Sequence, residues 1–222
     1  MSRTLLLDID GTLVDSNDAH ARAWVTAFAG QGFSVSFEQV RPLMGMGGDQ
    51  VVPRLTGVHK DDPRFERLTD GWKAGFESEF SGVRPFAGTR QLIERAQAAG
   101  WKVVVATSGQ PDMAERLLRL ADVSDLLPER VSSQEVEKSK PEPDLMHAAL
   151  QKVDARPQDA WMLGDTRYDV EAAHKAGVRC AVVRLGGNTD LEGADRIFGT
   201  LPEVADWLEE EEVGSVRGQA LL

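Results

Sequence analysis

Four aspartates, arranged in two pairs, have the type and spacing that metal-assisted or acid–base chemistry needs. Asp8 and Asp10 lie at the end of the apolar run 5–7, and Asp165 and Asp169 follow another apolar run. Residues two apart in a strand point to one side, so Asp8 and Asp10 can share a site. Residues four apart share one face of a helix, which brings Asp165 and Asp169 together in a first turn. Each pair alone also has a structural interpretation: Asp8 and Asp10 as the end of a strand before a turn, and Asp165 and Asp169 as a helix cap.

Convergence of the apolar runs favours a shared site. Three separate runs end in Asp8, Thr107 and Asp165, and ligands of open parallel sheets bind beyond the carboxyl ends of the strands. Clustered carboxylates repel one another and repel a phosphate dianion unless a cation joins them. Mg²⁺ prefers a few carboxylate or carbonyl oxygens and binds phosphate oxygens as well. The absence of His or Cys nearby argues against zinc, so the sequence predicts a magnesium site.

Polar and basic residues near the run ends are candidates for phosphate binding. Thr107 and Ser108 offer hydroxyl and backbone donors directly after a predicted strand. Ser108 is equally well interpreted as the cap of the next helix. Lys140 precedes a proline-rich stretch that can present its ammonium to a phosphoryl group, with Asp144 expected to cap the following helix. Spacing alone does not exclude the nearby Lys138.

The apolar runs also predict the fold. Four of them end in polar residues or are followed by helix-like segments: Leu5 to Asp8, Val103 to Thr107, Trp161 to Asp165 and Ala181 to Val183. Uninterrupted apolar runs that alternate with helical periodicity are typical of parallel strands buried on both faces. The sequence therefore predicts an α/β fold with a doubly wound parallel sheet core.

A helical region interrupts this core. No β-rich apolar run occurs between residues 15 and 87, where helices are predicted over 18–29, 37–43, 49–55 and 63–79. We predict a Rossmann-like catalytic core of residues 1–14 and 88–222 and an inserted helical cap subdomain of residues 15–87. Further helices are predicted over 89–99 and 201–212, followed by a frayed tail over 214–222.

Composition limits the compartment and the partners. The 222 residues carry a formal net charge of −11 and lack the basic footprint of a nucleic-acid or anionic-membrane binder. No apolar stretch is long enough for a membrane span, and Asp8 and Asp10 interrupt the early apolar run that a signal peptide would need. We expect a cytoplasmic protein that is a monomer or weak homodimer. The single cysteine, Cys180, is expected to pack in the core.

In order and spacing, four segments resemble the motifs of the haloacid dehalogenase superfamily. They are Asp8-Ile9-Asp10-Gly11-Thr12-Leu13-Val14-Asp15-Ser16, Thr107, Lys140-Pro141-x-Pro143-Asp144 and Gly164-Asp165-x-x-x-Asp169. The first is highly specific, and the ordered set spans most of the core. The insertion between the first and second motifs is similar to the helical cap of the branch that contains phosphoglycolate phosphatases and beta-phosphoglucomutases.

The resemblance implies a Mg²⁺-dependent phosphatase that hydrolyses a small phosphorylated metabolite, a phosphate monoester, through an aspartyl-phosphate. Asp8 would be the nucleophile, and Asp10 would be the general acid and then the general base. Thr107 and Lys140 would bind the phosphoryl oxygens.

The metal and its surroundings follow from the same resemblance. Mg²⁺ would be held by Asp8, the backbone carbonyl of Asp10, and Asp165. Asp169 would orient Lys140 or a metal-bound water.

The cap would close over the site and supply substrate contacts. The candidates for these contacts are His20, Arg22, Arg41, Met44, Gly45, Met46 and Arg54. The loop that begins at Gly45 is similar only superficially to a glycine-rich nucleotide loop, because no predicted strand precedes it.

A sugar-phosphate mutase of the beta-phosphoglucomutase type is the alternative. The segment 15–24, which includes His20, resembles the mutase branch. Gly164 before Asp165 is the phosphatase-like form, whereas the mutase branch usually carries Glu-Asp. A dehalogenase usually lacks a second acid at the position of Asp10, and a phospho-acceptor receiver module has no helical insertion.

Overall fold

The core of the protein is a six-stranded parallel sheet. A computed structural model describes residues 3–219 and the side chains of residues 3–211. The strands are β1 (Thr4–Leu7), β2 (Val14–Asp15), β3 (Arg84–Pro85), β4 (Lys102–Ala106), β5 (Arg130–Val131), β6 (Ala160–Gly164), β7 (Arg179–Val183) and β8 (Arg196–Phe198). The sheet has the order β5-β4-β1-β6-β7-β8, and every pairing within it is parallel. The central strand β1 places Leu6 opposite Val104 on one side and Met162 on the other.

Helices cover both faces of this sheet. They are α1 (Asn17–Gly30), α2 (Phe37–Val40), α3 (Gly48–Thr56), α4 (Pro63–Glu79), α5 (Thr89–Ala98), α6 (Pro111–Leu120), α7 (Asp144–Lys152), α8 (Arg167–Lys175) and α9 (Leu201–Gln219). Strand alternation sends Leu5 and Leu7 into one core cluster with residues of α5, α6 and α9. Leu6 belongs to a second cluster with residues of α7 and α8. The sheet is therefore doubly wound, as predicted.

The first four helices lie between β2 and β3, which pair as a short antiparallel ribbon. Within this region α1 and α4 pack closely, because Gly75 has no side chain: a Cβ there would lie 3.1 Å from the Cα of Ala23. An aromatic group fills the space between them, with the Trp24 and Trp72 rings stacked at 5.4 Å. The exact boundary between a core of residues 1–14 and 88–222 and a cap of residues 15–87 remains a prediction.

The four long strand runs and the predicted helices are present, with local differences. The sequence did not indicate β2, β3, β5 or β8, which have only two or three residues each. The predicted cap at Asp144 is wrong: Pro143 is the N-cap of α7, and the Asp144 carboxylate accepts a hydrogen bond from the Lys138 N–H at 3.1 Å.

The predicted tail over 214–222 is also wrong as far as residue 219, because α9 continues to Gln219. Glycine costs about 1 kcal/mol in a helix without blocking its hydrogen bonds, so glycines in this segment need not end it. Residues 220–222 lie outside the described part of the chain. Across the described residues, none of the helices combines the length and apolar character that a membrane crossing requires.

Candidate active site

The carboxyl ends of β1, β4 and β6 bring the predicted site residues to one edge of the sheet. Asp8 directly follows β1, and its N–H donates to the Leu163 carbonyl of β6 at 3.0 Å. Thr107 directly follows β4, and its N–H donates to the Val131 carbonyl of β5 at 3.1 Å. Asp165 directly follows β6. Backbone bonds of the sheet therefore fix the positions from which these side chains project.

A buried lysine lies at the centre of the site. Lys140 is fully buried, and its Nζ lies 2.6 Å from Asp8 Oδ1 and 2.8 Å from Asp169 Oδ1. Lys138, which spacing could not exclude, is exposed. A buried ammonium is tolerated only when carboxylates compensate its charge, and both partners here are themselves buried. The structure thus brings Lys140, and not Lys138, to the acidic cluster.

Two asparagines hold the Asp165 carboxylate through one of its oxygens. Its Oδ2 accepts hydrogen bonds from Asn17 Nδ2 at 2.9 Å and from Asn188 Nδ2 at 2.7 Å. Among the described residues, its Oδ1 has only a long contact of 3.5 Å with the Thr12 hydroxyl. The sequence did not indicate either asparagine: Asn17 follows the first motif directly, but Asn188 lies in a loop with no recognisable pattern.

Asp169 combines two tasks at the start of α8. Its Oδ2 accepts hydrogen bonds from the Thr166 N–H at 3.0 Å and the Thr166 hydroxyl at 2.7 Å, which forms a capping box. Its Oδ1 faces Lys140. Asp8, Asp165 and Asp169 each offer one oxygen, and the three oxygens lie within 4.8 Å of one another.

The electrostatics of this cluster favour a divalent cation. Burial raises the pKa of Asp8 to about 7, against the lowering effect of Lys140. Burial, followed by the charges of Asp169 and Asp8, also raises the pKa of Asp165. For Lys140, burial acts to lower the pKa, but Asp169 and Asp8 outweigh it and the pKa lies above its ordinary value. When Asp8, Asp165 and Asp169 are ionised and Lys140 is protonated, the cluster carries a formal charge of −2. A Mg²⁺ ion bound by the carboxylate oxygens would neutralise this charge.

Asp10 has a different environment from Asp8. Its Oδ1 accepts a hydrogen bond from the Ser16 hydroxyl at 2.5 Å and lies 2.8 Å from His20 Nε2. Burial acts to raise the pKa of Asp10, but His20 and Ser16 outweigh it and hold the pKa below its ordinary value. His20, which we expected to contact substrate, is thus in direct contact with Asp10. Its ring stacks on Phe76 with centroids 4.0 Å apart.

Thr107 and Ser108 lie beside Asp10 on the wall of one cleft. The Thr107 hydroxyl oxygen accepts a hydrogen bond from the Gly109 N–H at 2.9 Å, so its proton is free to be donated elsewhere. Ser108 does not cap the next helix, because Gln110 is the N-cap of α6. Within the described part of the chain, the buried Ser108 hydroxyl has no hydrogen-bond partner.

The cap candidates divide between two locations. The cleft above Asp8 and Asp10 has a volume of about 560 Å³, and the loop residues Met44, Gly45 and Met46 line it. Gly45 has φ +106°, and a Cβ there would lie 2.7 Å from Thr166 Cγ2, so both backbone conformation and close packing require glycine.

The arginine candidates do not line this cleft. The Arg41 guanidinium lies instead over the loop after β7, where it donates to the Gly186 carbonyl and to Asn188 Oδ1, the latter at 3.1 Å. It also pairs with Asp18. Arg22 pairs with Glu79 on the surface, and Arg54 is exposed. The sequence therefore did not predict where these arginines lie, because their long side chains reach carboxylates and carbonyls outside the cleft.

The fold and the carboxylate–lysine cluster define a hydrolase of the haloacid dehalogenase type. The chain belongs to the haloacid dehalogenase-like hydrolase family, whose model matches residues 5–183.

Named relatives cover nearly the whole chain. The putative pyrophosphatase PpaX of Caldanaerobacter subterraneus subsp. tengcongensis is 28% identical over 181 residues, which cover 81% of this chain and 80% of that protein. A hydrolase structure from Pseudomonas syringae matches with a TM-score of 0.86 at 25% identity, over 94% of this chain and 98% of that one. A CbbY variant from Rhodobacter sphaeroides, solved with xylulose-(1,5)bisphosphate, matches with a TM-score of 0.76 at 27% identity, over 91% and 96% of the two chains.

Proposed function

We propose that this protein is a Mg²⁺-dependent phosphatase that hydrolyses a small phosphate monoester through an aspartyl-phosphate on Asp8. It is a phosphoric monoester hydrolase by family, with relatives that are named as phosphatases and pyrophosphatases. The observation that carries the finer proposal is the pairing of two unlike carboxylates at the end of β1. Asp8 is held by the Lys140 ammonium, whereas Asp10 is held by Ser16 and His20 on the cap side.

In the first half of the reaction, an Asp8 carboxylate oxygen attacks phosphorus and the bond to the leaving oxygen breaks. Lys140 and the Thr107 hydroxyl would bind phosphoryl oxygens, Lys140 by offsetting their charge and Thr107 by donating a hydrogen bond. Asp10 gives its proton to the leaving oxygen, so that an alcohol departs. Both Ser16 and His20 bind Oδ1 of Asp10, which leaves Oδ2 for this proton transfer.

In the second half, water attacks the phosphorus of the aspartyl-phosphate. Asp10, now ionised, accepts a proton from that water, and Asp8 is released as a carboxylate together with inorganic phosphate. A lowered pKa favours the ionised form of Asp10, which is the form that accepts the proton of the attacking water. Two carboxylates with opposite pKa shifts thus take the two roles, nucleophile and acid–base.

Mg²⁺ is proposed to bind at Asp8, the Asp10 carbonyl and Asp165, and when bound it neutralises charge on the phosphoryl group. Asp169 is already engaged by Lys140 and Thr166, which fits an orienting role better than a ligand role. Asn17 and Asn188 hold one oxygen of Asp165 and leave the other facing the cluster. Such outer contacts orient metal ligands in many sites.

The alternative is a sugar-phosphate mutase, and the contact of His20 with Asp10 keeps it open. Both enzymes would form the same aspartyl-phosphate, so trapping that species does not separate them. The acceptor separates them: water in a phosphatase, and a second substrate hydroxyl in a mutase.

The test is steady-state release of inorganic phosphate from a panel of monoesters, including p-nitrophenyl phosphate and glucose 1-phosphate. We expect release with Mg²⁺, loss of release with excess EDTA, and recovery when Mg²⁺ is restored. Glucose 1-phosphate with a trace of glucose bisphosphate should give free phosphate and little glucose 6-phosphate. Rapid isomerisation without phosphate release would establish the mutase, and full activity in EDTA would contradict the metal-dependent mechanism.

A further inference from the structure

The two walls of the active-site cleft differ in chemistry. The wall on the sheet edge carries the catalytic aspartates and the hydroxyl groups of Thr107 and Ser108. The opposite wall, on the cap side, includes five large apolar side chains, those of Trp24, Met44, Met46, Phe65 and Trp72, beside polar residues such as Asn17, His20 and Thr69. The cleft volume of about 560 Å³ lies well within the range of small-molecule sites and far exceeds the size of a phosphate group. The cleft therefore has room for a leaving group that is much larger than phosphate.

Positive charge is scarce on this cap-side wall. Of the described residues that line the cleft, Lys60 is the only lysine or arginine. Its side chain is exposed, and its Nζ donates to the Glu137 carbonyl at 3.1 Å. Asp49 on the same wall contributes the opposite charge. A second phosphate, with a charge of about −1.5 to −2, would find no net positive charge there.

The N-terminus of α3 also borders the cleft and would in principle attract an anion. It is already compensated by the chain itself. Asp49 supplies a carboxylate in the first turn, and the Gly47 N–H donates to the Ser139 hydroxyl at 3.0 Å. Ser139 in turn is hydrogen-bonded to Asp49. This helix end is therefore a poor place for a second phosphate.

The apolar residues of the wall are suited to a ring. Trp24 and Trp72 are stacked and nearly buried, and the half-buried Phe65 stands beside them on the wall. Met44 and Met46 add flexible thioethers, which pack well against aromatic rings. Aromatic rings gain both apolar burial and favourable edge or face contacts in such surroundings.

We propose that the substrate carries a single phosphate and an apolar aromatic ring on its leaving group. This inference rests on the proposed phosphatase function and makes it more specific. It also separates this chain from two relatives whose names point to a second phosphate: a pyrophosphatase, and a CbbY variant solved with a bisphosphate.

The test compares alkyl phosphates, whose leaving alcohols have similar acidity, so that differences report binding of the leaving group. The first pair is 2-phenylethyl phosphate against propyl phosphate. We expect kcat/KM to be at least about tenfold higher for the phenyl compound, the scale set by burying a phenyl ring. The second pair is propane-1,3-diol monophosphate against the corresponding bisphosphate, and we expect no gain from the second phosphate. Equal values in the first pair, or a tenfold preference for the bisphosphate, would overturn the proposal.

Variants locate the effect on the cap-side wall. Phe65→Leu should reduce the ratio of the first pair by about threefold or more, because the ring contact is lost. Phe80→Leu is the matched control, since Phe80 is a half-buried phenylalanine of the same region that does not line the cleft. It should leave the ratio unchanged. An equal effect of both variants would contradict a contact at Phe65.

A binding measurement separates failure of this inference from failure of the proposed function. Calorimetry with the Asp8→Asn protein and Mg²⁺ should give a Kd at least about tenfold lower for 2-phenylethyl phosphate than for propyl phosphate. If wild-type protein releases phosphate from p-nitrophenyl phosphate but shows no ring preference in either assay, only the substrate class is wrong. If no monoester is turned over but the ring preference in binding persists, the phosphatase assignment fails and the ring site stands.

Discussion

The sheet edge and the cap interior differ in the interactions that hold them together: buried charged groups at the sheet edge and packed aromatic rings in the cap interior. Four buried charged groups lie together at the sheet edge: Asp8, Lys140, Asp165 and Asp169. Lys140 pairs with both Asp8 and Asp169. In the cap interior, which we define as Trp24, Phe28, Trp72 and Phe76, stacked and tilted rings fill the space between α1 and α4. Burial of charge destabilises the folded state unless the charge is paired, whereas burial of aromatic rings stabilises the folded state.

This difference separates function from stability in the molecule. At the sheet edge, burial and then like charges raise the pKa values of Asp8 and Asp165, which is unfavourable for the folded chain without a cation. The four rings of the cap interior carry no charge, and their burial stabilises the region that covers the site. His20 joins the two, because it stacks on Phe76 and contacts Asp10. Substitutions in the two regions should therefore affect different observables.

Asp8→Asn gives the largest expected effect, and the effect is on turnover. Phosphate release should fall by several orders of magnitude, because the covalent nucleophile is lost. The thermal midpoint without metal should stay the same or rise, since one of three mutually repelling carboxylates is neutralised while Lys140 keeps Asp169. Calorimetry and a phosphate assay measure both, and the exposed Asp61→Asn is the control. Retained turnover would place the nucleophile elsewhere.

Phe28→Ala should give the reverse pattern in the cap interior. Phe28 is fully buried and stacks on Trp24 with centroids 5.5 Å apart, so its truncation should lower the free energy of unfolding by about 3–5 kcal/mol. It lies eight residues beyond His20 on α1, about 12 Å along the helix axis, so kcat per folded molecule should change little. Urea denaturation and kinetics below the transition test this. A smaller loss is expected for the half-buried Phe33→Ala, and a loss of kcat in Phe28→Ala would break the separation.

The sequence predicted the sheet edge better than the cap interior for a physical reason. A strand end fixes the direction of a side chain through backbone geometry, so the runs before Asp8, Thr107 and Asp165 were enough to bring these residues together. Spacing alone left Lys138 open beside Lys140, and the burial of Lys140 and its contacts with Asp8 and Asp169 distinguish the two.

The cap residues depend on packing between helices that are distant in sequence. Arg41 was expected at the substrate but reaches the Gly186 carbonyl outside the cleft. His20 lines the cleft, as expected of a substrate contact, and also contacts Asp10, which the sequence did not indicate. Neither outcome follows from residue type or spacing, because the rotation of α1 decides the contact of His20 and the position of the turn after α2 decides that of Arg41.

His20→Ala tests the contact between the two regions. Loss of the hydrogen bond to Asp10 should lower kcat by about tenfold to a hundredfold, a fraction of what acid–base catalysis contributes. We expect KM to change less than kcat, because His20 acts through Asp10 as a positioning residue. His20→Gln, which retains a hydrogen-bond donor, should recover part of kcat, and the exposed His59→Ala is the control. An effect confined to KM would instead support a direct substrate contact.

Glu115→Gln gives the smallest expected effect and contrasts a half-buried carboxylate, which two arginines hold, with the buried carboxylates at the sheet edge. Hydrogen bonds from Arg130 and then Arg119 lower the pKa of Glu115 to about 2, whereas burial raises the pKa of Asp8. A lowered pKa means that the ionised form stabilises the fold above the ordinary carboxyl pKa near 4.5, and that this contribution is lost as pH falls toward 2. Because the side chain is partly exposed, Glu115→Gln should cost about 1 kcal/mol of unfolding free energy at pH 7.

The cost of Glu115→Gln should shrink at pH 3.5, where part of the wild-type contribution is already lost. Urea denaturation of both proteins at the two pH values measures the difference. Glu94→Gln, which removes the exposed pair of Glu94 with Arg90, is the matched control and should show a smaller cost at both. A cost for Glu115→Gln that is the same at pH 3.5 and pH 7 would mean that the Arg130 and Arg119 contacts do not favour the ionised carboxylate. The surroundings of Glu115 would then differ from those of Asp8 in burial alone, and not in the direction in which they shift the carboxyl pKa.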